Sequence, residues 1–439
     1  MRQWKDSEDH RPILLRGARQ VGKTTLVRQF GKGFDYFLEF NLEELDDKAF
    51  FKTHNTAKKL IPALKLQYEI KEDATVLIFI DEIQELPRMI QELRFFYEYF
   101  PDTYVIAAGS LLEFAFGDVV SFPVGRIRLM ELYPLTFKEF LIANGNKRIV
   151  EAYDEVPYNP IAYNLLLDLF HQYVLVGGMP KAVNTYFNGA GLSALPRIYQ
   201  SIWDTFQLDI ERYAKNDTER NVLRHIFQTS PFEADRIKFA GFGNSDYKSR
   251  EVGEAFRALD LTRVIQLQYP TTSSEVPVYT DFKKHPRLQF LDVGLLNYAM
   301  GIQTELLEVK DLNSLYRGKL IQQIVTQEVM ALGTNKRSVP HFWVREKKTS
   351  NAEVDLVFPY QNQLYPVEVK SGAKGRLRSL HQFVKASPHQ YGIRLLANEL
   401  LIESSETQTG EPYKLMSLPY FLAGKLGKYI PYFTGMSES

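Results

Sequence analysis

The run Gly17-Ala18-Arg19-Gln20-Val21-Gly22-Lys23-Thr24 constrains this chain more than any other, because it matches G-x-x-x-x-G-K-[ST] at every fixed position. That pattern works only where a buried strand passes through a tight loop into a helix. Both flanks are present: Pro12-Ile13-Leu14-Leu15 reads as a buried strand and Thr25-Leu26-Val27-Arg28-Gln29-Phe30 as the first turns of a helix. In such a loop the glycines let backbone N–H groups approach phosphates, the lysine adds positive charge at the β and γ positions, and the hydroxyl ligates magnesium. The helix start points its positive end at the same anion. The expected contacts to ATP are Gly17, Ala18, Arg19, Gln20, Val21, Gly22, Lys23, Thr24 and Thr25, with Mg2+ on Thr24.

From Arg11 to about Asn144 short apolar runs alternate with helical segments, and strands are expected near Ile13 and at 36–40, 76–80, 104–108 and 127–131. Such alternation implies a mainly parallel sheet covered by helices. From about Val150 to Tyr213 the patterns are helical and are broken by Val176-Gly177-Gly178-Met179-Pro180, which reads as a small helical lid. Helix-like runs at 220–229 and 249–259, then a strand-like 264–269 before Pro270, follow the order of a winged-helix-like module. After a linker at 310–317 come a helix at 320–332 and strands at 341–345, 353–358 and 364–370, the pattern of a further α/β domain. The expected boundaries are 1–149, 150–216, 217–309 and 310–439, and there is no internal repeat.

Val76-Leu77-Ile78-Phe79-Ile80-Asp81-Glu82 is the partner such a loop requires: a buried strand that delivers Asp81 to magnesium and Glu82 to polarise an attacking water. Gly109-Ser110, ending the next core strand, would set a hydroxyl beside the γ-phosphate. Arg126, in Pro123-Val124-Gly125-Arg126, is the candidate to stabilise charge on the transferring phosphoryl group, within the chain or across a subunit interface. For Ser110 and Arg126 the plainer readings, an ordinary loop serine and a solvated arginine, stay open. The expected catalytic set is Lys23, Glu82, Ser110 and Arg126, and the metal set Thr24 and Asp81.

Leu15-Arg16-Gly17-Ala18-Arg19-Gln20-Val21-Gly22-Lys23-Thr24-Thr25, with Phe79-Ile80-Asp81-Glu82-Ile83-Gln84, Ala108-Gly109-Ser110 and Leu132-Tyr133-Pro134-Leu135-Thr136-Phe137, resembles the prokaryotic AAA-type ATPases that carry an uncharacterised C-terminal domain. The resemblance covers nearly the whole chain. It implies an α/β architecture: a P-loop parallel sheet with a helical lid, a winged-helix-like segment and a restriction-endonuclease-like α/β C-terminal domain. It also implies Lys23, Thr24, Asp81 and Glu82 as the ATPase residues.

Glu353-Val354-Asp355-Leu356-Val357-Phe358, followed by Leu364-Tyr365-Pro366-Val367-Glu368-Val369-Lys370, resembles a nuclease core. There, one acid and the first acid of an E-x-K strand hold a divalent metal while the lysine helps activate water or stabilise phosphate charge. A period of two puts Glu368 and Lys370 on one face, so the possible nuclease-like site is Asp355, Glu368 and Lys370. Related sites add a glutamate from the preceding helix, where this chain has Gln322, and an amide binds a hard metal less strongly than a carboxylate. Glu328, nearly two turns on, replaces it only if the helix register differs.

Between Lys310 and Arg394 there are 14 Lys/Arg against 6 Asp/Glu, a local excess that suits a phosphate backbone or equally a basic solvated face balanced by an acidic neighbouring domain, and Lys374, Arg376 and Arg378 follow the E-x-K strand closely. The whole chain carries 53 basic and 53 acidic side chains, so its overall charge gives no footprint for nucleic acid or membrane. With no cysteine, disulfides, thiolate metal sites and cysteine nucleophiles are excluded together. No stretch approaches the roughly 20 apolar residues that span a bilayer, and the expected setting is cytoplasmic. The expectation is an ATP-binding and ATP-hydrolysing, Mg2+-dependent switch whose C-terminal module binds DNA or a protein partner. An ATP-gated DNA nuclease and an ATPase with a catalytically silent platform are the alternatives, and the oligomeric state is not readable.

Overall fold

The computed structural model describes residues 1–110, 112, 123, 125–212, 214–233, 235–303, 318–333, 339–345, 352–370 and 377–436, which fall into two compact units that meet in sequence at Tyr133 and Pro134. In the first unit the elements that matter are β1 (Ile13–Arg16), α1 (Lys23–Gly31), β2 (Tyr36–Asn41), α2 (Leu45–Thr53), α3 (Ala57–Gln67), β3 (Val76–Asp81), α4 (Arg88–Tyr99), β4 (Thr103–Ala108) and β5 (Arg128–Glu131). The strands form one parallel sheet in the order β2-β3-β4-β1-β5. The parallel α/β expectation from the alternating pattern is met, with each expected strand present.

Period two sorts the side chains. Leu77 and Phe79 of β3 pack with Ile13, Ile106 and, from α1, Val27 on one face. Ile78 and Ile80 pack with Phe40 and Val105 against Phe51, Leu60, Leu93 and Phe96 of α2, α3 and α4 on the other. Covering both faces is why β3 is buried at every position and reads as an unbroken apolar run. Because all strands run one way, the residues after Arg16, Asp81 and Ala108 emerge at a single edge of the sheet.

The second unit starts at Pro134. Its principal helices are α5 (Phe137–Asn144), α6 (Tyr163–Val176), α7 (Leu195–Arg212), α8 (Asp217–Thr229), α9 (Ser249–Thr262), α10 (Val293–Ala299), α11 (Lys319–Ala331), α12 (Arg378–Ala386) and α13 (Leu426–Thr434). Between them, β6 (Ile265–Gln268) pairs antiparallel with β8 (Arg287–Phe290), and β7 (Pro270–Thr271), β9 (Phe342–Val344) and β10 (Glu353–Val354) make a three-stranded sheet. A mixed five-stranded sheet orders β11 (Leu356–Tyr360), β12 (Gln363–Val369), β13 (Tyr391–Leu396), β15 (Pro412–Pro419) and β14 (Leu401–Glu406). The segments expected as lid, winged-helix-like module and C-terminal domain therefore share one unit. The strand expected over 353–358 is broken at Asp355, with β10 in one sheet and β11 in the other.

Two buried carboxylates tie this unit together. Asp292, fully buried ahead of α10, accepts from Gly178 N at 2.6 Å, Tyr199 Oη at 2.9 Å and Leu295 N at 3.0 Å. Burial pushes its carboxyl up in spite of those donors. The glycines of Val176-Gly177-Gly178 are explained here: Gly177 sits at φ 78°, and a Cβ on it would lie 2.3 Å from Tyr199 Oη and 2.5 Å from Asp292 Oδ1.

Glu328 of α11 is the second. Its Oε1 accepts from Phe137 N, the first residue of α5, at 2.9 Å, and lies 2.9 Å from Tyr173 Oη, which is also 2.8 Å from Leu135 O. The phenol has one proton for two acceptors, so a proton on Glu328 completes the set, and burial pushes this carboxyl up to about 7.

Gly177→Ala is expected to lower stability by about 2 kcal/mol or more, because it combines a strained φ with a clash against the Tyr199–Asp292 pair. The urea midpoint measures it, and an unchanged midpoint would contradict this account of the glycine. For Glu328 the sign follows from its raised folded value: as pH climbs from the ordinary glutamate value of 4.5 toward about 7, the unfolded chain has released the proton and the folded chain still holds it, so stability falls, then levels off. Glu328→Gln keeps an accepting oxygen and removes the ionisation. Its stability relative to the parent chain is expected to rise by about 2 kcal/mol between pH 5 and pH 8, read from paired denaturation curves, and a constant difference across that window would refute the assignment.

Candidate functional site

The phosphate-loop pattern lies where the parallel sheet places it, between β1 and α1. Gly17 has φ 146°, and a Cβ there would stand 2.5 Å from Leu132 O, so the loop runs against the segment that follows β5. Leu132 N donates to Arg16 O at 2.9 Å and fixes that approach. Gln20 and Gly22 are both in the left-handed region, at φ 64° and 97°, which turns the chain so that α1 starts at Lys23. Ala18 and Val21 are buried and anchor the loop. Lys23 is itself buried, and its Nζ donates back to Gly17 O at 2.9 Å and Ala18 O at 3.0 Å. The Arg19 guanidinium is 3.5 Å from Glu43, and Thr25 is exposed.

β3 brings the acids to the same edge. Thr24 Oγ1 donates to Asp81 Oδ2 at 2.6 Å, and Glu82 N donates to Asp81 Oδ1 at 3.0 Å. Burial pushes the Asp81 carboxyl up, partly offset by the Thr24 hydroxyl. Glu82 has left-handed backbone angles, φ 48° and ψ 45°, and its Oε2 accepts from Gln84 Nε2 at 2.5 Å. Nearby, burial and then the Glu82 charge push the Glu43 carboxyl up, and Lys48 pairs with Glu85 at 2.9 Å. Ser110, beyond the end of β4, is 2% exposed.

Lys23, Thr24, Asp81, Glu82 and Ser110 are therefore gathered at one edge, while Arg126 is not among them. Arg128 of β5 is in register with Ile13 at the start of β1, so Arg126 precedes the opposite end of the sheet, and its Nε donates to Glu98 at 3.2 Å. The expectation that Arg126 acts at the loop within the chain is corrected by the parallel register: the strand length separates them.

In the second unit, Asp355 Oδ2 accepts from Val369 N at 2.9 Å and Oδ1 lies 3.3 Å from Gln322 Nε2, so Gln322 does occupy the helix position facing the acid. Lys370 Nζ donates to Glu368 Oε1 at 2.6 Å. Burial, reinforced by the Asp355 charge, pushes the Glu368 carboxyl up against the pull of Lys370. Arg287 of β8 enters the same cluster: its guanidinium bonds Glu353, lies 3.5 Å from Asp355 and stacks over Phe342 at 4.4 Å. Arg236 holds the other oxygen of Glu353 at 3.0 Å. Glu328 faces Phe137 and Tyr173 instead, so it does not replace the missing helix acid. Among the described residues no group of three or more acidic or histidine side chains is arranged to hold a metal ion. Lys374 and Arg376 lie outside the described residues, and Arg378 is exposed at the start of α12.

Sequence reasoning missed Gln84 and Arg287. Gln84 was visible two residues beyond Glu82, but nothing in a turn reveals which way an amide points. Arg287 comes from a strand far from Asp355 in sequence, and no local spacing joins them. Among the described residues no helix is long and apolar enough to cross a membrane.

Comparison with known proteins finds family matches to three segments of the chain. Residues 9–141 match a family described as an AAA domain, residues 167–306 a domain of unknown function, and residues 317–421 a second domain of unknown function. An uncharacterized protein of Methanocaldococcus jannaschii is 24% identical over 429 residues, covering 90% of this chain and 82% of its own. Among solved structures, PCH-2 of C. elegans aligns at 15% identity and a TM-score of 0.28 over 45% of this chain and 56% of its own. A Signal Transduction ATPase with Numerous Domains protein with a tetratricopeptide repeat sensor, from Pyrococcus horikoshii, aligns at 10% identity and a TM-score of 0.26 over 75% of this chain and 47% of its own. The chain thus spans about half of each of those two structures. Residues 9–141 carry a domain of the AAA type, and residues 317–421 match a C-terminal domain of unknown function.

Proposed function

We propose that the chain is a Mg2+-dependent ATP-binding and ATP-hydrolysing switch of the AAA type. The observation that carries this reading is the 2.6 Å contact of Thr24 Oγ1 with Asp81 Oδ2, which pairs the hydroxyl and the carboxylate a magnesium ion needs. The donor set fits the metal, since both oxygens are hard ligands. The loop fits a triphosphate, since Gly17 and Gly22 give the backbone its approach and Lys23 is held at its centre. Bound magnesium would neutralise charge on the β and γ phosphates. Gly17 to Thr25 would cradle the phosphates, Lys23 would exchange its two carbonyl partners for phosphate oxygens, and Glu82 would take the proton of the attacking water. Arg126, remote from the loop in its own chain and paired with Glu98, would reach a transferring phosphoryl group only in another subunit.

Lys23→Ala is expected to abolish ATP binding by titration calorimetry, since the loop loses the cation that faces the phosphates. Glu82→Gln is expected to retain binding and to lose hydrolysis by about 100-fold or more, the usual weight of a general base. Undiminished phosphate release in both variants would sink the reading.

For the C-terminal module, Arg287 and Gln322 favour a non-cleaving platform over a nuclease with a restriction-endonuclease-like fold. A guanidinium already neutralises Glu353 and faces Asp355, and an amide stands where a third acid would be. The local basic excess supports DNA as the partner, bound through its backbone. Incubation with duplex, single-stranded or branched DNA, Mg2+ or Mn2+, with and without ATP, is expected to give no cleavage. Cleavage that disappears in Asp355→Ala would restore the nuclease reading.

A further inference from the structure

Among the described residues, two buried oxygens near the phosphate-loop edge of the sheet have no hydrogen-bond partner. Gln84 uses the nitrogen end of its amide on Glu82 Oε2, and its Oε1 is buried without a hydrogen bond among the described residues. Ser110 Oγ is in the same condition. The Gln84 amide meets the end of β4 at Gly109, the neighbour of Ser110. A Cβ on Gly109, the residue before Ser110, would lie 2.3 Å from Gln84 Oε1, so the missing side chain at 109 is what lets the amide reach the end of β4. Roughly 90% or more of buried polar groups in folded proteins are paired, so each of these two atoms asks for a small polar partner. The neighbouring Glu82 supports the same point: its left-handed backbone is unfavourable for a residue with a side chain, and strain of this kind collects where geometry is functional.

We propose that Gln84 is a positioning residue for hydrolysis, which holds Glu82 and helps seat the water that attacks the γ-phosphorus. Gln84 Nε2 fixes the Glu82 carboxylate, while Gln84 Oε1 accepts one proton of the water. This rests on the ATPase reading and deepens it. In the step, the water oxygen bonds to the γ-phosphorus and one water proton passes to Glu82. The bond from that phosphorus to the β–γ bridging oxygen breaks, and its electron pair leaves with ADP. Nothing is oxidised or reduced. An amide suits position 84 because it donates to a carboxylate and accepts from water at once. Leucine does neither, and an ionised glutamate cannot donate.

The test is single-turnover ATP hydrolysis with Mg2+ by the full chain and by Gln84→Leu and Gln84→Glu. Gln84→Leu is expected to slow hydrolysis by about 100-fold with ATP affinity and melting temperature unchanged. Gln84→Glu is expected to be slow at about pH 8 and to regain activity by about tenfold toward pH 6, because two adjacent carboxylates share a proton and the protonated one donates again. Asp81, Glu43, Glu85 with Lys48, Lys23 and Arg19 also surround this point, and the parent profile recorded alongside accounts for them. Unaltered turnover in Gln84→Leu, or a loss of ATP affinity that accounts for the loss of rate, would overturn the proposal. If Gln84→Leu does not fold, the near-isosteric Gln84→Glu decides, and a pH profile parallel to the parent's would overturn it. A parent chain without Mg2+-dependent hydrolysis would instead remove the ATPase reading itself.

Discussion

A parallel sheet buried on both faces has no room for polar work except at its ends. β3 shows the constraint in one strand: Val76 to Ile80 give every side chain to the two apolar layers, and the first group able to do chemistry is Asp81, the last residue. The same holds for β1, which ends at Arg16 before the phosphate loop, and for β4, which ends at Ala108 before Gly109 and Ser110. Parallel register then brings the three exits to one edge. The Thr24–Asp81 hydrogen bond depends on that, because its two residues are joined through strand pairing and not through any local turn.

This explains which parts of the site could be read from sequence. Local patterns define the loop from Gly17 to Thr24 and the strand ending at Asp81, and each carries its own end-of-strand chemistry, so both were legible before any geometry. Arg126 shows the limit. A basic residue just ahead of a core strand has the right type, but parallel register puts its end of β5 beside the start of β1, away from the loop. Gln84 shows another. Its importance lies in the direction of an amide set by Glu82 on one side and by the bare Gly109 on the other, and no spacing rule carries that information.

In the second unit the sequence pattern and the tertiary setting disagree in an instructive way. The pair of signals at Glu353–Asp355 and Glu368–Lys370 predicts strands, and strands form, yet the first breaks at Asp355 because β10 and β11 join different sheets. Asp355 is left at the break, where it caps Val369 N and meets Gln322. The glycines of Val176-Gly177-Gly178 read as simple punctuation in the sequence, but their backbone is required by the buried Asp292 and Tyr199, which come from elsewhere in the chain.

Buried acids need compensation, and the source of it separates structural acids from metal centres. Asp292 is compensated by three neutral donors, and Glu328 by backbone and phenol donors together with a carboxyl that holds its proton toward neutrality. The Glu353–Asp355 cluster is compensated by guanidinium groups from Arg287 and Arg236. Unit charges about 4 Å apart interact by about 4 kcal/mol at the effective dielectric of a protein surface, so a divalent cation entering this cluster must first overcome repulsion from Arg287 and then release its ion pairs. Glu368, paired with Lys370, adds one more competing cation. Around Asp81 the balance is the reverse: its side-chain partner is the neutral Thr24 hydroxyl, and among the described residues no ion pair ties up the carboxylate. The acid at the end of β3 is therefore held by a neutral side chain, and those at Glu353 and Asp355 by cations.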